Sequence, residues 1–402
     1  MNIALVLDGL QVGGIERVCL DYCKILLDLG YHVTLFNLVP DLNELENEIP
    51  EGVKLVHLPF PRWLAPERYT GLVRRNFVCK FMYIFLYMFF TLITFLYKLF
   101  CRIRYKECRH EYNYLVAFSS HINDLTFVAQ RFARANHTVS WCHGAIYSYL
   151  LMSDGFINLY NKIKNIVVLV DDSQEEVLSY NKFLNLNVYK LYNPSYVKDR
   201  KVSCKKVKKL KKEYGNFILM VSRFQYPHKD QLTVIKAFNL LLNEHKNLDT
   251  SLVFIGDGPD RKKAEIVAKK LNERIRKRIF FLGTQLDVQN YYMAAYLLVH
   301  ASVAGEGLPT VMIEAMNYRL PEVVTDSKTG PREILGDNKY GLLCKIEDPK
   351  DMSEKIYRLF SDKVLYKNFQ LLESQRIKDF SVKKIKNRLD YILKDIAGEI
   401  NK

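Results

Sequence analysis

Short apolar runs of strand length recur along the whole sequence, and most are followed by a stretch whose apolar residues repeat at helical spacing. This alternation constrains the chain more than any other feature. Strands separated by helices return in the same direction, which is the pattern of an α/β architecture with parallel sheets. In the first half the predicted strands are 2–7, 32–38, 54–57, 114–117, 138–141 and 165–170; in the second they are 216–221, 251–255, 278–282, 296–300, 322–325 and 341–344. Helices are predicted near 15–29, 230–244, 259–272, 286–294 and 309–317. At 402 residues the chain exceeds what one core usually covers. The expected division is a domain at 1–193, a second at 194–380 after Tyr192, Asn193 and Pro194, and a helix at 381–402 that crosses back to the first.

The formal charge of +15, from 59 Lys and Arg against 44 Asp and Glu, favours polyanionic partners. One basic group is the run Lys198–Lys212, which has few apolar positions and reads as a solvated linker and helix face. The other, Arg74, Arg75, Lys80, Lys98, Arg102, Arg104, Lys106 and Arg109, brackets an apolar stretch. Neither interleaves with aromatic residues as a strand-binding groove would, so nucleic acid is not an expected partner. Eight scattered cysteines show no metal-ligand spacing and fit reduced thiols. Residues 2–7 already read as a strand, with no basic region or cleavage site before them. A secretory leader is therefore not expected, and a cytoplasmic location is.

Residues 81–100 read FMYIFLYMFFTLITFLYKLF, long and apolar enough to span a bilayer. A span would place the strands on either side of it across the membrane from one another. Tyr83, Tyr87, Thr91, Thr94 and Lys98 also form a polar stripe at helical spacing. Three readings stay open: a helix in the membrane plane, a buried helix and a span. The basic flanks favour the first, since each cation near an anionic leaflet contributes about 1 kcal/mol. The segment 74–109 is thus expected to engage an anionic membrane surface.

The strongest local chemistry lies at Gly305, Glu306, Gly307, Leu308, Pro309, Thr310 and Val311, with Glu314 eight positions after Glu306. A strand enters this loop and Pro309 suits the first helical position. Gly307 permits close backbone approach, and the helix N-terminus offers amides to a phosphate. Arg223 and Lys229 follow the strand at 216–221, where cations can neutralise a diphosphate. Gly13 and Gly14 open a helix after the first strand, but the GxGxxG spacing of a dinucleotide site is missing. His143 sits just past another strand end, and Asp171 with Asp172 fits helix-start charge better than a metal site.

In order along the chain stand GGIER, WCHG, Tyr192–Asn193–Pro194, SRFQYPHK, IGDGP, FLG, EGLPTVMIEAM and GPREI. With these the chain resembles the retaining glycosyltransferases of family 4, also called group 1. The resemblance implies the GT-B fold, two Rossmann-like doubly wound domains facing each other across a cleft. It implies a donor nucleotide-sugar, a UDP-sugar above a GDP-sugar, held mainly by the second domain. Arg223 and Lys229 would bind the diphosphate and Glu314 the ribose. Glu306 and the amides of 308–311 would meet the sugar, with Gly13 and Gly14 near the phosphates and His143 facing the sugar. Glu306, His143, Arg223 and Lys229 are the catalytic expectations. No metal or cofactor is implied. The acceptor would be a saccharide on a lipid carrier, in surface polysaccharide or lipopolysaccharide assembly at the inner membrane face. Two rivals share the donor site: a GT-B sugar-nucleotide epimerase or hydrolase, and a non-catalytic membrane-associated subunit that binds sugar nucleotides. Glu322, where the family usually has an apolar strand residue, and Ser327–Lys328–Thr329, which replaces a Gly-rich approach to Gly330, depart from the pattern.

Overall fold

Seven strands pair in parallel to form the first sheet: β1 (Asn2–Leu7), β2 (His32–Asn37), β3 (Lys54–His57), β4 (Glu111–Ala117), β5 (Arg134–Cys142), β6 (Asn165–Val168) and β7 (Asn187–Lys190). Their order is β3-β2-β1-β4-β5-β6-β7. The computed structural model describes residues 1–144, 155–195 and 201–400, apart from the side chains of Arg74 and residues 180–184. Central strands are buried on both faces, so Ile3, Ala4, Leu5, Val6 and Leu7 run without polar interruption. The sequence reading missed β7. It is a half-buried edge strand whose ends are Asn187 and Lys190, so no apolar run announces it.

The second sheet is also parallel, in the order β10-β9-β8-β11-β12-β13. It comprises β8 (Phe217–Val221), β9 (Ser251–Ile255), β10 (Ile279–Phe281), β11 (Leu297–His300), β12 (Glu322–Thr325) and β13 (Leu342–Cys344). In each sheet the strand order reverses once, between β1 and β4 and between β8 and β11. Loops leaving the carboxyl ends of such a pair part in opposite directions and open a crevice.

The chain forms two compact units: Met1–Pro194 with Ile385–Lys402, and Ser195–Lys384. The C-terminal helix Val382–Ile396 buries Ile385, Leu389, Ile392 and Leu393 on one face. Leu389, Ile392 and Leu393 of that face line a narrow apolar seam together with Ile3, Leu5, Tyr22, Val116 and Trp141, and the Tyr114 hydroxyl donates to the Leu393 carbonyl at 2.7 Å. Helix α1 (Gly14–Asp28) follows β1, and helix α2 (Phe77–Arg104) extends four residues beyond the apolar stretch at each end. Asn76 caps α2 by accepting from the Cys79 amide at 2.8 Å, and Arg102 and Arg104 complement its C-terminal dipole. Of the Lys-rich run, residues 198–200 lie outside the described residues; the remainder lies in and just before the helix Cys204–Tyr214.

Candidate functional site

Three strand–loop–helix units meet at the carboxyl ends of β8, β11 and β12. After β8 the chain turns through 222–230 into the helix Gln231–Glu244, which Asp230 caps by accepting from the Thr233 amide at 3.0 Å. The Asp230 amide donates to the Ala301 carbonyl at 2.9 Å, and the Val303 amide to that of Pro227 at 3.0 Å. These bonds lace the loop after β8 to the loop after β11. Gly256, at φ +127°, lies against the same loop: a Cβ there would come 2.1 Å from the Ser222 carbonyl oxygen. The IGDGP glycine is thus where the backbone beside Arg223 comes close.

The lacing sets Lys229 against Glu306. Their side chains form an ion pair, with Lys229 one-fifth and Glu306 one-tenth exposed, and His300 Nε2 lies 2.9 Å from Glu306 Oε1 and 3.3 Å from Lys229 Nζ. A carboxylate only accepts, which assigns the imidazole proton to Nε2 and leaves the buried Nδ1 without a partner among the described residues. Burial pushes the Glu306 carboxyl up, but His300 and Lys229 outweigh it and hold it down at about 2. Burial, followed by Lys229, keeps His300 below its ordinary value. The cluster is therefore carboxylate, ammonium and neutral imidazole.

The Glu306 loop is clamped from the other side. Its carbonyl accepts from the Gly330 amide at 3.1 Å and from the Thr329 hydroxyl. A Cβ on Gly330 would meet the Gly307 carbonyl oxygen at 1.8 Å, so only glycine fits there. Thr329 itself holds φ +84°, a conformation that a β-branched residue rarely adopts. The helix after the loop is Thr310–Asn317, one residue later than expected, with Pro309 at its N-cap. Gly307 is half-buried, Leu308 and Pro309 are buried, and Thr310 and Val311 supply first-turn amides beside Glu306. Glu314 is half-buried and accepts from the Tyr292 hydroxyl at 2.9 Å. Arg223 is exposed, and among the described residues its guanidinium has no hydrogen bond or ion pair.

Gly13, Gly14 and His143 belong to the first unit. Gly13 caps α1 in an extended conformation, and a Cβ there would lie 2.2 Å from Glu16 Oε2; Gly14 faces open space. His143, half-buried, donates from Nε2 to the Phe118 carbonyl at 2.7 Å, and burial lowers its pKa to about 4.

Sequence reasoning missed His300 and a polar cluster between β1 and β4; Thr329 it marked only as part of a departure from the family's pattern. In that cluster Asn123 donates to Asp8 at 2.6 Å, Arg68 to Asn123 at 2.9 Å, and His121 Nδ1 lies 3.5 Å from Asp8. Burial raises the Asp8 carboxyl, but bonds from His121 and Asn123 outweigh it and hold it below its ordinary range. Asp124 beneath accepts from the Ser119 and Ser120 amides at 2.7 and 2.9 Å, and burial pushes its carboxyl up to about 7. Among the described residues, no three His, Cys, Asp or Glu side chains gather as a metal site would need.

Residues 203–371 match the family described as glycosyl transferases group 1. Over 166 residues the chain is 30% identical to the amylovoran biosynthesis glycosyltransferase AmsD of Erwinia amylovora, covering 40% of this chain and 46% of that one. It is 29% identical over 178 residues, 44% of this chain and 46% of the other, to a Campylobacter jejuni enzyme. That enzyme is the N-acetylgalactosamine-N,N'-diacetylbacillosaminyl-diphospho-undecaprenol 4-alpha-N-acetylgalactosaminyltransferase. The chain spans about half the length of the curated relatives it matches. Among solved structures it is similar to Anabaena HepE in complex with UDP and glucose, with a TM-score of 0.72 at 19% identity, over 98% of this chain and 100% of that one. S. aureus TarM gives a TM-score of 0.71 at 14% identity, over 98% and 99%.

Proposed function

We propose that this chain, which has the GT-B fold and whose residues 203–371 belong to the glycosyl transferases group 1, moves a sugar from a nucleotide diphosphate to a saccharide hydroxyl with retention of configuration. The observation that carries the reading is the Lys229–Glu306–His300 cluster at the β8/β11 crevice, flanked by the exposed Arg223 and the amides of Thr310 and Val311.

In the reaction the bond from the anomeric carbon to the diphosphate oxygen breaks, and its electrons leave on the phosphate. The acceptor oxygen bonds to the anomeric carbon on the same face, and its proton passes to the departing phosphate. Charge grows on the leaving group, so fixed cations and aligned amides lower the barrier most. Arg223, Lys229 and the first-turn amides supply them without a metal. Glu306, ionised and held on two sides, accepts from hydroxyls of the transferred sugar, and Glu314 from the ribose. From the first unit, the family resemblance assigns His143 to the transferred sugar and Gly13 and Gly14 to the phosphates, and Asp8, His121 and Asn123 offer hydrogen bonds to acceptor hydroxyls.

A UDP-sugar is the favoured donor, supported by the UDP in the HepE complex. The acceptor is a saccharide on a lipid carrier, supported by the diphospho-undecaprenol acceptor in the name of the C. jejuni relative. The protein accordingly works in the cytoplasm, held peripherally at the inner face of the membrane through 74–109, in surface polysaccharide assembly. A panel of UDP- and GDP-sugars tests the donor by thermal stabilisation, which reports binding by linkage. One sugar nucleotide should raise the melting temperature, and Arg223→Ala should abolish the rise. Undiminished stabilisation in that variant refutes the site.

A further inference from the structure

Helix α2 carries its polarity inside out. Apart from the exposed Thr91, the polar stripe turns toward the body of the first unit: Thr94 donates to the Leu64 carbonyl at 3.0 Å and Lys98 to that of Gln130 at 2.7 Å. Arg102 donates to the carbonyls of Phe132 and Arg131 at 3.3 and 2.9 Å. Two cations of the basic group are thus engaged with the protein's own backbone. The opposite face is apolar and bare, with Phe85 69%, Leu92 58% and Leu96 54% exposed along one line of the helix.

We propose that α2 anchors the protein by sinking this face among the acyl chains of a bilayer while lying in the membrane plane. The anchor is hydrophobic, and charge only assists it. This deepens the membrane reading given above and rests on it.

Three observations select a bilayer as the occupant. The 28 residues of α2 extend the bare face over about 42 Å. No Asp or Glu occurs in α2, while Arg75 and Lys80 near one end and Arg104, Lys106 and Arg109 at the other are exposed. That places cations at headgroup level on both sides of an apolar centre. A second copy fits poorly, because either relative direction of two such helices sets cations against cations. Trp63, 52% exposed, lies 6.0 Å from the ring of Phe90, and an indole there suits the membrane interface. The helix does not cross: β3 precedes it, β4 follows it, and both lie in one sheet, so both ends return to the same side.

Flotation of the full chain tests this on phosphatidylcholine vesicles, alone and mixed with phosphatidylglycerol, in low and in molar salt. At molar salt the Debye length is about 3 Å, and purely electrostatic docking is lost. The wild type should float with both vesicles in both salts. Phe85→Ser/Leu92→Ser/Leu96→Ser should lose at least about tenfold in partitioning everywhere, given the area removed. Lys80→Gln/Arg104→Gln should weaken only the anionic arm. Release of the wild type from all vesicles by salt overturns the proposal, as does a triple variant that floats like the wild type. So does a dimer that the triple variant dissociates and that never floats. Flotation needs no donor and thermal stabilisation by donor needs no vesicle, so failure of the anchor is distinguishable from failure of the sugar-transfer site. Native fluorescence of Trp63 and Trp141, both in the first unit, shows that the triple variant is folded.

Discussion

Replacing Lys229 by methionine keeps the length of the side chain and removes the ammonium against which Glu306 is held. From its ordinary 4.5 to about 2, the Glu306 carboxyl favours its ionised form by about 3 kcal/mol, despite a burial that opposes it. Without Lys229, burial is set against His300 alone, and a buried carboxylate that loses its partner typically costs about 3–5 kcal/mol. Lys229→Met should therefore destabilise the second unit by about 3 kcal/mol at neutral pH. Glu306→Gln in the same chain should recover most of that loss, because no charge is then left unpaired. A double-mutant cycle should give a coupling of about 2–3 kcal/mol. The pH dependence has a defined sign: a depressed carboxyl contributes stability above 4.5 and loses it as the pH falls toward 2. The gap between wild type and Lys229→Met should narrow over that range. Both tryptophans, Trp63 and Trp141, lie in the first unit, so their fluorescence reports that unit while far-UV circular dichroism sees both. Urea unfolding should shift the dichroism midpoint and leave the tryptophan transition in place. Additive single and double variants would refute the coupled cluster.

Three other variants are informative. Glu322 and Glu373 are buried together without hydrogen-bond partners among the described residues; burial raises both, and the neighbouring Glu373 raises Glu322 further. The native state thus keeps protons that the unfolded chain releases, and stability falls as pH rises above 4.5; Glu322→Gln should flatten urea-measured stability against pH by about 1.4 kcal/mol per pH unit. Thr329→Gly relieves a strain of about 1–3 kcal/mol but loses the bond to the Glu306 carbonyl, so its melting point should barely move. Thr329→Val keeps the strain without the bond and should melt lower, by about 1–2 kcal/mol; the reverse order would refute the strain. A chain ending at Lys384 should lose the native tryptophan fluorescence of Trp141, which lines the seam under the C-terminal helix.

Local pattern made much of this molecule legible. Unbroken apolar runs such as Leu219 in β8 or Leu5 in β1 mark strands buried on both faces, whereas β7, at an edge and half polar, carries no such mark. Glu306 stood out because a glycine-flanked carboxylate joins a strand to a helix. His300 did not, since a histidine closing an apolar strand looks like core until its partner is known. The bond from Asn123 to Asp8 joins residues 115 apart, and no spacing rule reaches that far. The stripe on α2 was plain at a period of four, but periodicity identifies a face without saying whether it turns toward protein or away from it.

The C-terminal helix has a consequence in time. The first unit is closed by Ile385–Lys402, yet its own strands end before Pro194, so about 190 residues must be synthesised between them. At about 5–20 residues per second, that interval is about 10–40 s. Throughout it, the seam beside Trp141 stands open while α2 has already left the ribosome with its bare face outward. A nascent chain in that condition shows two apolar surfaces at once, the seam and the bare face of α2, and the last helix covers only the first of them.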